Sequence, residues 1–329
     1  IWPLTEMLRQ AITRGVTINL YGDLLAPLAE GSALDEYLAD ASDGAPTPAL
    51  VETRSIIWQN VRGLALTCEK LDPAAFIHFG TTEEYQELLQ QGVRVFEPCG
   101  WSRHAASWAP PSTARTLDQD TVLVNSYAEQ LSASRVCLLD SALDAHLVSA
   151  ADGLIADLVT QREGLQLAPA TVLHQITLRD GQGFVTRLYG VRDDPKQSVA
   201  DGGTFLNVPW AAWLETSQIN PEELWPSVAA PSERRLWNAA LFPVCQDREE
   251  SLDLALWLQA PQEADMAVRQ RWQAARRLSL AESYAQADVH RMVNDAQAIE
   301  DKVRARRFCA GLERELAATE LAPLLGSLQ

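Results

Sequence analysis

No stretch of about 18 consecutive apolar residues occurs in the chain, so no segment reads as a transmembrane helix. The five cysteines (Cys68, Cys99, Cys137, Cys245 and Cys309) are widely spaced and form no Cys-x-x-Cys pair. That excludes a disulfide-scaffold miniprotein and a zinc finger, and an odd, scattered set reads as reduced thiols. Ile1-Trp2-Pro3-Leu4 carries no basic stretch followed by an apolar one, so the expectation is a cytoplasmic protein. The missing initial methionine adds the expectation of a piece cut from something longer. Positive charge is in deficit: 27 Lys and Arg against 44 Asp and Glu give a formal net charge of −17. Such a field repels phosphate backbones and anionic lipid, so neither nucleic acid nor a membrane surface is an expected partner. A small phosphorylated ligand in one local basic pocket stays allowed.

Common chemical signatures are missing too. Ser126, Ser141 and Ser149 lack a G-x-S-x-G context, which leaves nucleophilic hydrolysis unsupported. Gly202-Gly203-Thr204 lacks the lysine and the glycine spacing of a phosphate loop and reads as a plain loop. Asp193-Asp194, followed by Pro195-Lys196, reads as a solvated turn rather than a metal pair.

What is present is an ordinary globular composition, 47% apolar and 22% charged, in 329 residues, enough chain for about two structural units. The first hundred residues alternate helix and strand signals. Leu4, Met7, Leu8 and Ile12 keep helical spacing before Gly15. Val16–Tyr21, Leu64–Cys68 and Ala75–Phe79 predict strands, with a loop over residues 41–48. Gly80 ends the last strand, and Thr81 with Glu84 predicts a capping box. Tyr85, Leu88 and Leu89 form that helix's apolar stripe, and Gly92 fits its C-terminal stop.

From about Val122 to Leu188 short aliphatic runs replace helix signals. Counting in sixes from Val136 gives Ala142, Val148, Leu154, Thr160, Gln166, Val172 and Leu178, mostly apolar. A six-residue beat suggests a three-sided β-helix, with Gln161–Gly164 as a protruding loop; an ordinary antiparallel sheet is the alternative. Asn220-Pro221 predicts a helix start, and residues 263–325 are strongly helical, restarted by Ser279 with Glu282. Ile299, Val303, Leu312 and Leu316 predict one continuous apolar face.

Among five histidines, His104 and His290 read as surface, and His146 and His174 as wall or core. His78 ends a strand directly before a capped helix, whose free N–H groups and dipole suit a phosphate. A locally satisfied strand-end histidine explains it equally well. Asp23, after the other strand, fits a metal or hydroxyl ligand and fits an N-cap as well.

At this point the motifs carry a resemblance. Phe76–Tyr85 (Phe-Ile-His-Phe-Gly-Thr-Thr-Glu-Glu-Tyr) resembles the F-x-H-x-G-T-T-E-E-Y segment of fucose-1-phosphate guanylyltransferases and their fusions with L-fucokinase. Tyr21–Leu28 is similar to the family's Y-G-D-F-L-x-x-L run. Leu236–Cys245 resembles its L-W-x-A-x-L-F-P-V motif, and Arg277–Leu280 its R-x-S-L. The likeness runs in order from Ile1 to about Asp288.

The resemblance implies an α/β nucleotidyltransferase domain, then a left-handed β-helix, then a kinase domain in the fusions. It also implies transfer of a guanylyl group from GTP to L-fucose 1-phosphate, with pyrophosphate released and magnesium in the intact enzyme. His78 and Asp23 become the expected catalytic residues, and Gly80, Thr81 and Tyr21 the substrate-binding ones. In related sugar-phosphate nucleotidyltransferases an Asp stands at the position of His78, so a direct carboxylate–metal bond does not carry over. The family's glycine-rich loop with its following Arg and Lys is not found, nor is the kinase's phosphate loop.

The expected fold class is therefore α/β plus β. Residues 1–110 are the end of the transferase-type domain, 111–258 the β-helix with loop insertions, and 259–329 a helical connector. A non-catalytic spacer that sets domain spacing or oligomer contacts is the other reading. Expected partners are a sugar phosphate and GTP or GDP-fucose, and a homo-oligomer is allowed.

Overall fold

The structure, a computed structural model, describes residues 5–6, 11, 16–42, 45–67, 69–70, 72, 80–97, 100–102, 104–144, 148–226, 228, 230–261 and 266–318. It is a mixed α/β fold with a large, mostly parallel sheet and a C-terminal helical region, and it divides into two units, residues 1–77 and 78–329.

In the first unit the helix Pro48–Val61 starts where the Thr47 side chain accepts the Leu50 N–H at 3.2 Å, with Pro48 at the first helical position. Its Ile57 and Val61 bury against Ala11. The strand expected over Val16–Tyr21 does not form. Leu20–Leu25 winds into a helical turn instead, because Asn19 and Asp23 cap each other. Asn19 Oδ1 accepts from the N–H of Tyr21 and Gly22, and Asp23 Oδ2 accepts from the Asn19 N–H at 2.6 Å. These local bonds outbid the short β-branched run. Leu64–Thr67 is also irregular: Leu64 and Leu66 are each 59% exposed, with no strand among the described residues to bury them. The expected strand Ala75–Phe79, and with it His78, lies outside the described residues, as do Cys68, Cys99 and His146.

Strands in the second unit come in threes: β1 (Val122–Val124), β2 (Tyr127–Ala128), β3 (Leu131–Ser134), β4 (Cys137–Leu139), β5 (Ala142–Leu143), β6 (Val148–Ala151), β7 (Leu154–Ala156), β8 (Val159–Thr160), β9 (Leu165–Gln166) and β10 (Thr171–Thr177). Each of β1 to β7 pairs in parallel with the third strand after it, giving the ladders β1-β4-β7-β10, β2-β5-β8 and β3-β6-β9. Val122 faces Cys137, Cys137 faces Leu154 and Leu154 faces Val172. The six-residue beat from Ala142 to Val172 thus touches one strand at each step. Polar Thr160 sits on it because its hydroxyl reaches Glu249 at 2.7 Å.

Leu123, Leu138, Ile155 and Leu173 stack inward as one buried row. Each such side chain contributes roughly 1.5–3 kcal/mol by leaving water. The corners need left-handed backbone, found in two columns: Asn125, Asp140, Asp157 and Arg135, Asp152, Ala170. Asn and Asp tolerate that conformation best among non-glycine residues. A buried serine column satisfies the corner amides. Ser107, Ser126 and Ser141 each accept an N–H from the next coil, from Ser126, Ser141 and Leu158 at 2.9, 3.2 and 3.1 Å.

The chain then reverses through Gly183 (φ +101°) into β11 (Phe184–Gly190), antiparallel to β10. A β12–β13 hairpin (Thr204–Phe205 and Val208–Pro209) follows, and β14 (Phe242–Cys245) and β15 (Arg277–Leu278) complete a seven-stranded sheet. Asp193, read as solvated, is 6% exposed. It accepts from the N–H groups of Gly190, Leu206 and Asn207 and from the Thr204 hydroxyl, so it ties the hairpin to β11. The C-terminal helix Val289–Ala318 packs Ile299 and Val303 on Tyr127 and Ala142. Its expected apolar face stops there, since Leu312 and Leu316 are 47% and 63% exposed. Among the described residues no helix is long and apolar enough to cross a membrane.

Candidate functional site

Gly80 and Thr81 lead into the helix Thr82–Glu87. The Thr81 hydroxyl accepts the Glu84 N–H at 3.1 Å, while Glu84 Oε2 accepts from the N–H of Thr81 at 3.1 Å and of Gly80 at 2.7 Å. This is the capping box expected from the spacing of Thr81 and Glu84. Two amides therefore converge on one anionic oxygen at the helix start, and in this structure the anion is the protein's own carboxylate. One residue on, Thr82 hydrogen-bonds the Tyr189 hydroxyl.

The helix is fixed to the outer face of the β1-β4-β7-β10 ladder. Tyr85 and Leu89 pack on Val122, Cys137, Leu154 and Val172. The Gln86 amide donates to the Arg135 carbonyl at 3.0 Å, and Gln90 donates to the same carbonyl at 2.6 Å. Gly92 is not the expected stop: the backbone continues through a wide helical turn, Leu88–Gly92, into Val93–Phe96. Gln90 caps the corner carbonyl from within that turn, which keeps the chain coiled past the predicted end. Cys137 lies beneath; burial pushes its thiol up to about 12, so it stays protonated and packs as an apolar group.

Next to Tyr189 on the same sheet face is a polar row that includes His174, read from the sequence as wall or core. His174 on β10 is the register partner of Arg187 on β11. Arg187 Nη2 lies 2.5 Å from His174 Nδ1, and His174 Nε2 lies 2.8 Å from Asp157 Oδ2. A guanidinium only donates, so Nδ1 accepts and the ring proton sits on Nε2, facing the carboxylate. Burial lowers the His174 pKa, partly opposed by Asp157, in keeping with a neutral ring. Asp140 continues the column: burial raises its pKa, Asn125 Nδ2 donates to it at 2.6 Å, and Asp157 adds to the upward shift. The signal that finds these residues is the coil repeat itself, since Asp140 and Asp157 recur at one corner and His174 follows on β10 in register with Ala156.

Tyr21 and Asp23 belong to the first unit. Tyr21 is 72% exposed, whereas Asp23 is 2% exposed. Asp23 Oδ1 takes the Arg54 Nε–H at 2.7 Å, Oδ2 takes the Asn19 N–H, and its carbonyl takes the Tyr37 hydroxyl at 2.6 Å. Arg54 is held in turn by the Asp40 carbonyl at 2.7 Å.

A family model described as Fucose pyrophosphorylase domain matches residues 4–247. This chain belongs to the fucose pyrophosphorylase domain family. It is 32% identical over 123 residues to the bifunctional fucokinase/GDP-fucose pyrophosphorylase of Arabidopsis thaliana, which covers 37% of this chain and 12% of that protein. It is 24% identical over 271 residues to the fucose-1-phosphate guanylyltransferase of Homo sapiens, which covers 74% of this chain and 41% of that protein. The chain thus spans less than half the length of the curated relatives it matches. No solved structure matches it.

Magnesium is the expectation that the sequence resemblance carries. Among the described residues no three His, Cys, Asp or Glu side chains converge to hold a metal. Asp23, read from the sequence as a metal or hydroxyl ligand or an N-cap, has both oxygens committed to Arg54 and Asn19. The described residues therefore present no donor set for the ion.

Proposed function

We propose that this chain is part of an enzyme that makes GDP-L-fucose from L-fucose 1-phosphate and GTP. The observation that carries the reading is the family match over residues 4–247, which encloses the Gly80–Thr81 helix start. In the reaction a phosphate oxygen of the sugar phosphate attacks the α-phosphorus of GTP. The new phosphoanhydride forms as the α–β bridging bond breaks and pyrophosphate departs with its electrons. Such transfers depend mostly on positioning and charge neutralisation.

On this reading the Gly80 and Thr81 amides bind the sugar's phosphate at the position now filled by the Glu84 carboxylate. His78, two residues earlier, contacts that phosphate or a metal-bound water. In the first unit Asp23 anchors the turn that presents exposed Tyr21 for ligand contact. Magnesium remains part of the reading for the intact enzyme, with no step routed through it here.

The three parallel ladders are read as a left-handed β-helix. Residues 1–110 then form the end of a nucleotidyltransferase-type domain, 111–258 the β-helix and 259–329 a helical connector. The parent protein is read as also carrying L-fucokinase activity, within L-fucose salvage in the cytoplasm.

The test uses the full-length protein and measures pyrophosphate released from GTP in the presence of L-fucose 1-phosphate. His78→Ala is expected to lower the rate by roughly 100-fold, the scale of a lost proton-transfer or charge-stabilising group, with the fold intact. Unchanged kinetics return His78 to a structural role. A wild type without sugar-phosphate-dependent release removes the enzymatic reading and leaves the spacer.

A further inference from the structure

Among the described residues Arg187 is a largely buried cation with no direct ion pair. Its single hydrogen bond among the described residues goes to His174, and its Nε is buried without a partner. Among the described residues no carboxylate lies within ion-pair distance of it; Asp157, paired with the imidazole, acts on it electrostatically from further off. A buried charge normally meets a counter-charge directly, because desolvation without one is costly. Here the ring instead holds one edge of the guanidinium by Nη2 and leaves Nε for something else. In a chain of net charge −17, a carboxylate there would have been easy to supply.

The location narrows what that something is. Arg187 and Tyr189 lie on one face of β11, the face that carries the helix Thr82–Glu87. Tyr189 hydrogen-bonds Thr82, the residue after the Gly80–Thr81 amide pair, and interacts electrostatically with Arg187. An arginine with an unpaired Nε–H, linked through Tyr189 and Thr82 to two convergent backbone amides, is a fitting grip for a tetrahedral oxyanion. We propose that Arg187, oriented by His174 and through it by Asp157, binds the phosphate of the sugar phosphate. The proposal rests on the guanylyl-transfer reading and assigns it a residue on the coil.

The experiment uses the full-length protein and steady-state kinetics with each substrate varied in turn. Arg187→Gln is expected to raise KM for L-fucose 1-phosphate at least tenfold and to leave KM for GTP within twofold, with Arg187→Lys in between. Unchanged constants, an equal rise for both substrates, or a rise for GTP alone overturn the proposal. If Arg187→Gln fails to fold, the His174 pair decides. A glutamine both accepts and donates as the neutral ring does, so His174→Gln should keep the wild-type KM while His174→Leu raises it. Equal values in the two variants count against the proposal.

Calorimetric titration with L-fucose 1-phosphate separates this proposal from the function it rests on. A wild type that binds the sugar phosphate tenfold more tightly than Arg187→Gln, yet releases no pyrophosphate, sinks the guanylyl-transfer reading and keeps the subsite. Equal binding, or none, sinks the subsite.

Discussion

Glu84 accepts the backbone N–H of Gly80 at 2.7 Å, four residues back, and so occupies the position where two amides converge on an anion. The bond is a helix cap and also a competitor for any phosphate that comes to this junction. Glu84→Ala should therefore have two opposite effects. The helix start loses about 1 kcal/mol, the scale of a capping interaction. Affinity for L-fucose 1-phosphate rises severalfold, because the amides no longer exchange one anion for another. Thermal unfolding and calorimetric titration of the variant read both quantities. Lower stability with lower or equal affinity would leave Glu84 as a cap and nothing more.

Asp23 separates a structural from a catalytic carboxylate. It and Arg54 are buried together, with side chains only 3% and 4% exposed. Removing one partner of such a pair leaves the other charge stranded, at a cost of about 3–5 kcal/mol. Asp23→Asn should thus unfold the first unit or lower its melting temperature steeply, whatever it does to turnover. Limited proteolysis across residues 1–77, compared with wild type, measures this directly. A variant that stays as resistant as wild type and still loses activity would make Asp23 a reacting group.

The serine column makes a prediction about the coil. Ser141 donates to the Leu139 carbonyl at 2.7 Å and accepts the Leu158 N–H at 3.1 Å, fully buried. Ser141→Ala leaves that amide without a partner in the coil and should cost roughly 1–3 kcal/mol. Ser132→Ala, on an exposed position of β3, is the control and should cost little. Equal denaturation midpoints for the two variants would remove the ladder's energetic role.

How far the sequence foretold this arrangement depends on the range of the interaction. Thr81 with Glu84, Ser279 with Glu282 and Asn220 with Pro221 were legible because a cap lies within three or four residues of its partner. The strand over Val16–Tyr21 failed because Asn19 and Asp23 offered closer bonds than any strand neighbour. Asp193 was read as solvated because its partners at 204, 206 and 207 come from a later hairpin. His174 and Arg187 were missed for the same reason. Thirteen positions apart in the chain, they become neighbours only through the antiparallel register of β10 and β11.

That neighbourhood also fixes a pH response. Burial lowers the His174 pKa below its ordinary value, and Arg187 pushes the same way, while Asp157 pulls it up. The unfolded chain, with histidine near 6.5, binds a proton that the folded chain refuses. Stability contributed by the neutral ring is therefore complete above about pH 6.5 and falls as pH drops toward the lowered folded value. Asp140, Asp157, Arg187 and Tyr189 face or adjoin the same ring, so the wild type alone does not isolate the effect. The difference between wild type and His174→Gln does. Urea midpoints at pH 7.5, 6.5 and 5.5 should converge as pH falls, with the wild type losing more than the variant. Parallel curves would mean the ring gains its proton in the fold as easily as in the unfolded chain, and the neutral bridge between Asp157 and Arg187 would have to be abandoned.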